Sequence, residues 1–132
     1  MDNIFIDSNI ILYLFDFDTL KRLKAKEIIA LNPKINSQVL VEVVNVCKRK
    51  FNYSKLDCLN IWNDLHDLCQ IVPINGTTTI QCKYLVEKYD FQIYDALIVA
   101  SALETGCKYL FSEDMKHNLK IENQLTIINP FL

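Results

Sequence analysis

The stretch YDALIVASALETGCKYLF, residues 94–111, decides the fold. Its first part, 94–105, has helical length and is apolar nearly all round, so it predicts a helix covered by other elements. Gly106 follows, and glycine is the residue that most often closes a helix in the left-handed conformation. KYLF, residues 108–111, then reads as a short apolar strand. A buried helix feeding a strand is half of a βαβ unit, and so predicts a parallel sheet.

Outward from there the alternation continues. NIFI (3–6) predicts a strand ending at Asp7, and SNIILYLF the start of a helix with Ser8 near its cap. Residues 19–31 predict a charged amphipathic helix, and Pro33 leads a strand at 34–36. Ser37 can cap a helix through QVLVEVVNVCKRKF, and Ser54 opens another with Asp57 three residues on, a capping-box-like signal. On that helix Cys58, Leu59, Ile61, Trp62, Leu65, Leu68 and Cys69 share the apolar side. IVPI (71–74) predicts a strand, 77–89 a helix and LTII (125–128) the last strand. The expected fold class is α/β, with a mainly parallel central sheet of four to five strands flanked by helices, in a single domain over 1–132.

Bulk properties exclude several classes. A chain of 132 residues, 51% hydrophobic and 23% charged, is one globular domain rather than a disordered segment. No apolar run approaches the roughly 20 residues of a membrane-spanning helix. MDNIFIDSN carries acid where a signal peptide carries base, so the expected location is the cytoplasm, with no membrane partner. Five cysteines, with no CxxC spacing, read as buried free thiols rather than a zinc site. With two glycines and no Gly-rich loop, a P-loop or dinucleotide site is excluded. The net charge of −2 is unevenly spread: residues 21–55 hold nine cations against Glu27 and Glu42, a local +7 that leaves −9 elsewhere. A basic surface beside an acidic pocket is one result; lysines that merely solvate helix faces are the other.

The acids carry the chemistry. Asp7 stands at the carboxyl end of the first strand, and Asp114 just beyond the end of KYLF. Glu42 lies in the second turn of its helix and Asp95 in the first turn of the apolar one. Strand carboxyl ends and the helix starts after them share one edge of an open parallel sheet, so these four are expected to converge. Asp95 is the only charge from 95 to 103, on the side of Ile98, Val99 and Ala102. A buried carboxylate there needs a cation, donors or a proton, although capping the helix start is a sufficient structural role. Glu42, Asn45 and Arg49 fall at i, i+3 and i+7, either a solvated edge or a ligand, a polar positioner and a phosphate-binding cation along one groove. Carboxylates gathered without lysine or histidine suit Mg²⁺ or Mn²⁺ better than zinc. Such ions activate water and offset charge on a phosphodiester. His66 reads as structural, and His117, nearer the acids, is not needed by that chemistry.

These residues resemble the PIN-domain nucleases, in particular VapC-like ribonuclease toxins of toxin–antitoxin pairs, over essentially the whole chain. FIDSN (5–9) is similar to the family's opening block, with Asp7 and the polar Asn9. SQVLVEVVNVCKRKF (37–51) resembles the second with Glu42, YDALIVASAL (94–103) the third with Asp95, and LFSEDM (110–115) the fourth with Ser112 and Asp114. The resemblance implies a three-layer fold, Mg²⁺ or Mn²⁺ dependence, RNA cleavage, commonly a homodimer, and a partner antitoxin. It prefers Asp114 over its neighbour Glu113 as the fourth acid. Asn118 stands where relatives often have glycine. Three alternatives stand beside it: a PIN nuclease of RNA processing without an antitoxin; a haloacid-dehalogenase-like phosphatase with Asp7 as nucleophile, which normally has an acid where Asn9 stands; and a non-catalytic nucleic-acid-binding module.

Overall fold

The computed structural model describes residues 3–132. Its elements run β1 (Ile4–Ile6), α1 (Ser8–Leu12), a 3₁₀ turn (Tyr13–Phe15), α2 (Thr19–Ile29), β2 (Lys34–Asn36), α3 (Ser37–Lys50) and α4 (Lys55–Leu68). They continue through β3 (Gln70–Val72), α5 (Gly76–Tyr89), α6 (Ile93–Glu104), β4 (Tyr109–Phe111), β5 (Lys120–Ile121) and β6 (Leu125–Ile128). The sheet has six strands in the order β3-β2-β1-β4-β6-β5, all parallel except the antiparallel β5–β6 pair.

β1 is central, and Ile4, Phe5 and Ile6 are all buried, as expected of a strand covered on both faces. α6 is the apolar helix the sequence predicts: Ala96 and Ile98 to Ala102 are buried. Its end is a Schellman closure. Gly106, at φ +72°, donates to the Leu103 carbonyl while Cys107 donates to that of Ala102. A side chain at 106 meets no neighbour, so Gly106→Ala carries backbone strain alone. The expected loss is about 1 kcal/mol, read as a lower urea midpoint at unchanged m-value.

Several boundaries differ from the sequence reading. Asn36, not Ser37, caps α3: its side-chain oxygen accepts from the Val39 amide, while the Ser37 hydroxyl donates to the Val72 carbonyl. β3 is 70–72 rather than 71–74, because Pro73 has no N–H to continue the ladder. On α4, Leu59 and Leu68 are exposed, whereas Cys58, Ile61, Leu65 and Cys69 are buried. The sixth strand, β5, joins β6 through a turn with Glu122 and Asn123 at positive φ. Glu122 is held there by Lys88 (2.6 Å) and by the Tyr89 hydroxyl (2.9 Å), tertiary contacts with no local signature. All five cysteines are free and buried. None of the described helices is long and apolar enough to cross a membrane.

Candidate active site at the carboxyl edge of the sheet

From β1 the chain moves outward to β2 and β3, then returns to β4 on the other side of β1. The connections leaving β1 and β4 therefore diverge, and a crevice opens between them, the place where open α/β sheets bind ligands. Asp7 and the segment Ser112–Asp114 stand at its mouth, joined by the Asp7 amide donating to the Phe111 carbonyl at 3.0 Å.

Asp7 caps α1 and is only 5% exposed. One carboxylate oxygen accepts from the Ser8 amide at 2.7 Å; the other accepts from the Ser112 hydroxyl at 2.8 Å and the Asn9 amide at 3.3 Å. Burial pushes its pKa up to about 6, against the pull of the Ser112 and Ser8 donors, and the Asp95 and Glu42 carboxylates push the same way. Asp95, half-buried in the first turn of α6, is also raised, by burial first and then by Asp114 and Glu42. The four acids therefore share one electrostatic neighbourhood. Asn9 staples it: its amide donates to Asp7 and to Asp114 (3.1 Å), and its oxygen accepts from the Glu113 amide.

Glu42, Asn45 and Arg49 line one groove along α3, with Tyr94 of α6 opposite. The acid edge and this groove meet at Glu42. Glu113 points elsewhere: its carboxylate accepts from the Tyr13 hydroxyl and from Lys21 (3.0 Å). Burial alone would raise that carboxyl, but these two partners hold it below the usual range. Lys21 in turn lies over the Tyr13 ring, so this cation of the basic segment is spent on structure. His117 accepts at Nδ1 from the Asn129 amide (2.9 Å) and lines a different groove, against α2. Asn118 adopts φ +66°, a conformation asparagine tolerates in place of glycine.

One organising residue was not singled out by the sequence. Asn36, fully buried, caps α3 and donates to the Ser101 hydroxyl of α6 at 3.1 Å. It thereby fixes the helix carrying Glu42 against the helix carrying Asp95. Its only local signal is a polar residue ending a strand before a helix.

Oxygen donors, a buried acid with raised pKa and no salt bridge to any of the four acids among the described residues form a chemistry that fits a hard divalent cation. No three Asp, Glu, His or Cys side chains among the described residues are close enough together to enclose an ion.

A carboxylate-lined crevice at the switch point of a mainly parallel sheet defines an α/β protein with an acidic candidate site. More particularly, the chain belongs to the PIN domain family, whose model matches residues 4–119. No curated protein matches the sequence. Among solved structures, the fold is shared with a toxin–antitoxin complex from Klebsiella pneumoniae (20% identity, 96% of each chain, TM-score 0.70). It is shared too with VapC20 of Mycobacterium tuberculosis, a sarcin–ricin loop cleaving toxin (18% identity, 84% of this chain and 91% of that one, TM-score 0.68). A third is VapBC2 from Rickettsia felis, bound to a DNA fragment from its promoter (21% identity, 96% and 98%, TM-score 0.66). Membership of the PIN family leaves the dehalogenase-like reading without support.

Proposed function

We propose that this PIN domain is a Mg²⁺- or Mn²⁺-dependent endoribonuclease, acting as the toxin of a toxin–antitoxin pair. The observation that carries the reading is the buried, pKa-raised Asp7 at the switch point, electrostatically coupled to Asp95 and Glu42. Asp7, Glu42, Asp95 and Asp114 would hold the cation, which supplies the charge that neutralises them, polarises a water and offsets charge developing on the phosphodiester. Ser112 and Asn9 orient Asp7, and Asn9 also orients Asp114. Arg49 grips a flanking phosphate and Asn45 bonds the RNA between, since both line the groove that runs past Glu42. RNA as substrate is supported by this groove and by the sarcin–ricin loop cleavage named for one neighbour of the same fold. The toxin role is supported by a neighbour solved as a toxin–antitoxin complex, which makes an antitoxin the partner expected; a homodimer is expected from the family resemblance alone.

Purified protein should cleave single-stranded RNA with Mn²⁺, lose activity in EDTA and regain it on Mn²⁺ addition. Cleavage indifferent to EDTA would reject the metal role. Induced expression should arrest growth only while Asp7 is intact; harmless expression of active enzyme would point to RNA processing without an antitoxin. Because Glu113 is committed to Tyr13 and Lys21, Glu113→Gln should keep cleavage within about threefold of wild type, whereas Asp114→Asn should lose roughly 10²-fold. The reverse order of losses in single-turnover assays would make Glu113 the fourth acid instead.

A further inference from the structure

The groove along α3 holds two side chains that the metal chemistry leaves unused. Its volume is about 570 Å³, and its lining includes Gln38, Glu42, Asn45 and Arg49 of α3 together with Ile74 and Tyr94. Tyr94 is 69% exposed, a flat aromatic ring beside Asp95. Gln38 has its side-chain oxygen sealed from solvent with no donor in reach. An amide oxygen buried unpaired costs free energy, which is relieved when the amide turns that oxygen to where a donor can reach it. The terminal torsion of glutamine is broad and two-fold, so the amide can turn its oxygen into the groove.

We propose that Tyr94 and Gln38 form a nucleobase subsite of the nuclease centre, Tyr94 stacking on one base of single-stranded RNA and Gln38 bonding that base's edge. This rests on the nuclease reading and adds to it the residues that select sequence. Gln38 lies one turn before Glu42 on α3 and Arg49 two turns after it, about 16 Å end to end along the helix axis. A strand threaded through the groove would set a base against Tyr94 and Gln38, its scissile phosphate at Glu42, and a flanking phosphate at Arg49. Arg49 itself lines the groove, and the exposed Lys50 and partly exposed Lys48 beside it in sequence add positive charge around that end of α3. Aromatic stacking accepts any base, while an amide with a donor beside an acceptor discriminates between base edges.

The test is steady-state cleavage of a panel of short single-stranded RNAs by the whole protein in Mn²⁺, with every cut site mapped. Tyr94→Ala should raise KM roughly ten- to a hundredfold across the panel, and Tyr94→Phe should keep it near wild type. Gln38→Leu should flatten the base preference beside the cut by roughly tenfold, with the thermal unfolding midpoint no lower than wild type. Wild-type cleavage with unaltered KM in Tyr94→Ala and an unaltered cut map in Gln38→Leu overturns the subsite and leaves the nuclease reading standing. A changed oligomeric state by light scattering, with KM unchanged, overturns it in favour of a second copy in the groove. A wild-type protein that cuts no RNA overturns both.

Discussion

Asp7→Asn is expected to lose roughly 10²–10⁴-fold in Mn²⁺-supported RNA cleavage while the protein folds normally and, without metal, becomes more stable at neutral pH. The two effects have one cause. Asp7 is buried near Asp95 and Glu42, so its charged form is costly in the folded protein. Its folded pKa, about 6, lies above the unfolded value of 3.8. Between those values the native state holds more protons than the unfolded one, so stability falls as pH rises from about 4 to about 6. Below that window the group is protonated in both states; above it the cost is complete. Asparagine keeps the shape and removes the charge, and the Ser112 hydroxyl can turn to suit it. Urea unfolding in EDTA should therefore show a gain on the order of 1–3 kcal/mol at pH 7 that vanishes near pH 4. Saturating Mn²⁺ should reverse the order of the two proteins, because only wild type gains from the ion. Loss of cleavage with loss of stability at pH 7 would mark Asp7 as structural.

Asn36→Ala should destabilise the protein by about 2–3 kcal/mol, a fall in Tm of roughly 5–10 °C, one of the larger costs available to a single polar side chain here. It removes the α3 cap and leaves the Val39 amide without its acceptor. It also strips the Ser101 hydroxyl of its partner inside the core. Ser101→Ala should cost less, about 1–2 kcal/mol, and the double variant should fall short of the sum, since both remove one bond. Because Asn36 joins the helices bearing Glu42 and Asp95, the loss of cleavage at low temperature should exceed what unfolding explains. Full activity in the folded fraction would confine Asn36 to stability.

α6 and β4 were legible because each is set by a local rule. An apolar run of helical length ended by glycine has one reading, and the structure differs from it by a residue at each end of the helix. Asp7, Glu42, Asp95 and Asp114 were legible as candidates because strand-end positions follow from the alternation of elements, and their shared neighbourhood follows from the sheet order. Asn36 was not legible, because a buried amide bonding Ser101, 65 residues away, leaves no trace in periodicity. β5 escaped for a similar reason. Glu122 at positive φ opposes local preference and is held by Lys88 and Tyr89. The ambiguity between Glu113 and Asp114 required coordinates, since adjacent acids look alike until Tyr13 and Lys21 claim one of them. Burial of Asp95 was overread: the wheel places it with Ile98 and Val99, yet at the helix start it is half-buried, on the rim of the crevice.

The most direct measurement is anomalous diffraction from crystals grown with Mn²⁺. A peak among the carboxylates of Asp7, Glu42, Asp95 and Asp114, lost in Asp7→Asn crystals of the same form, is the predicted result. Absence of any peak at that edge under saturating Mn²⁺, or a peak that persists unchanged in Asp7→Asn, would contradict the assignment of these acids as the metal centre.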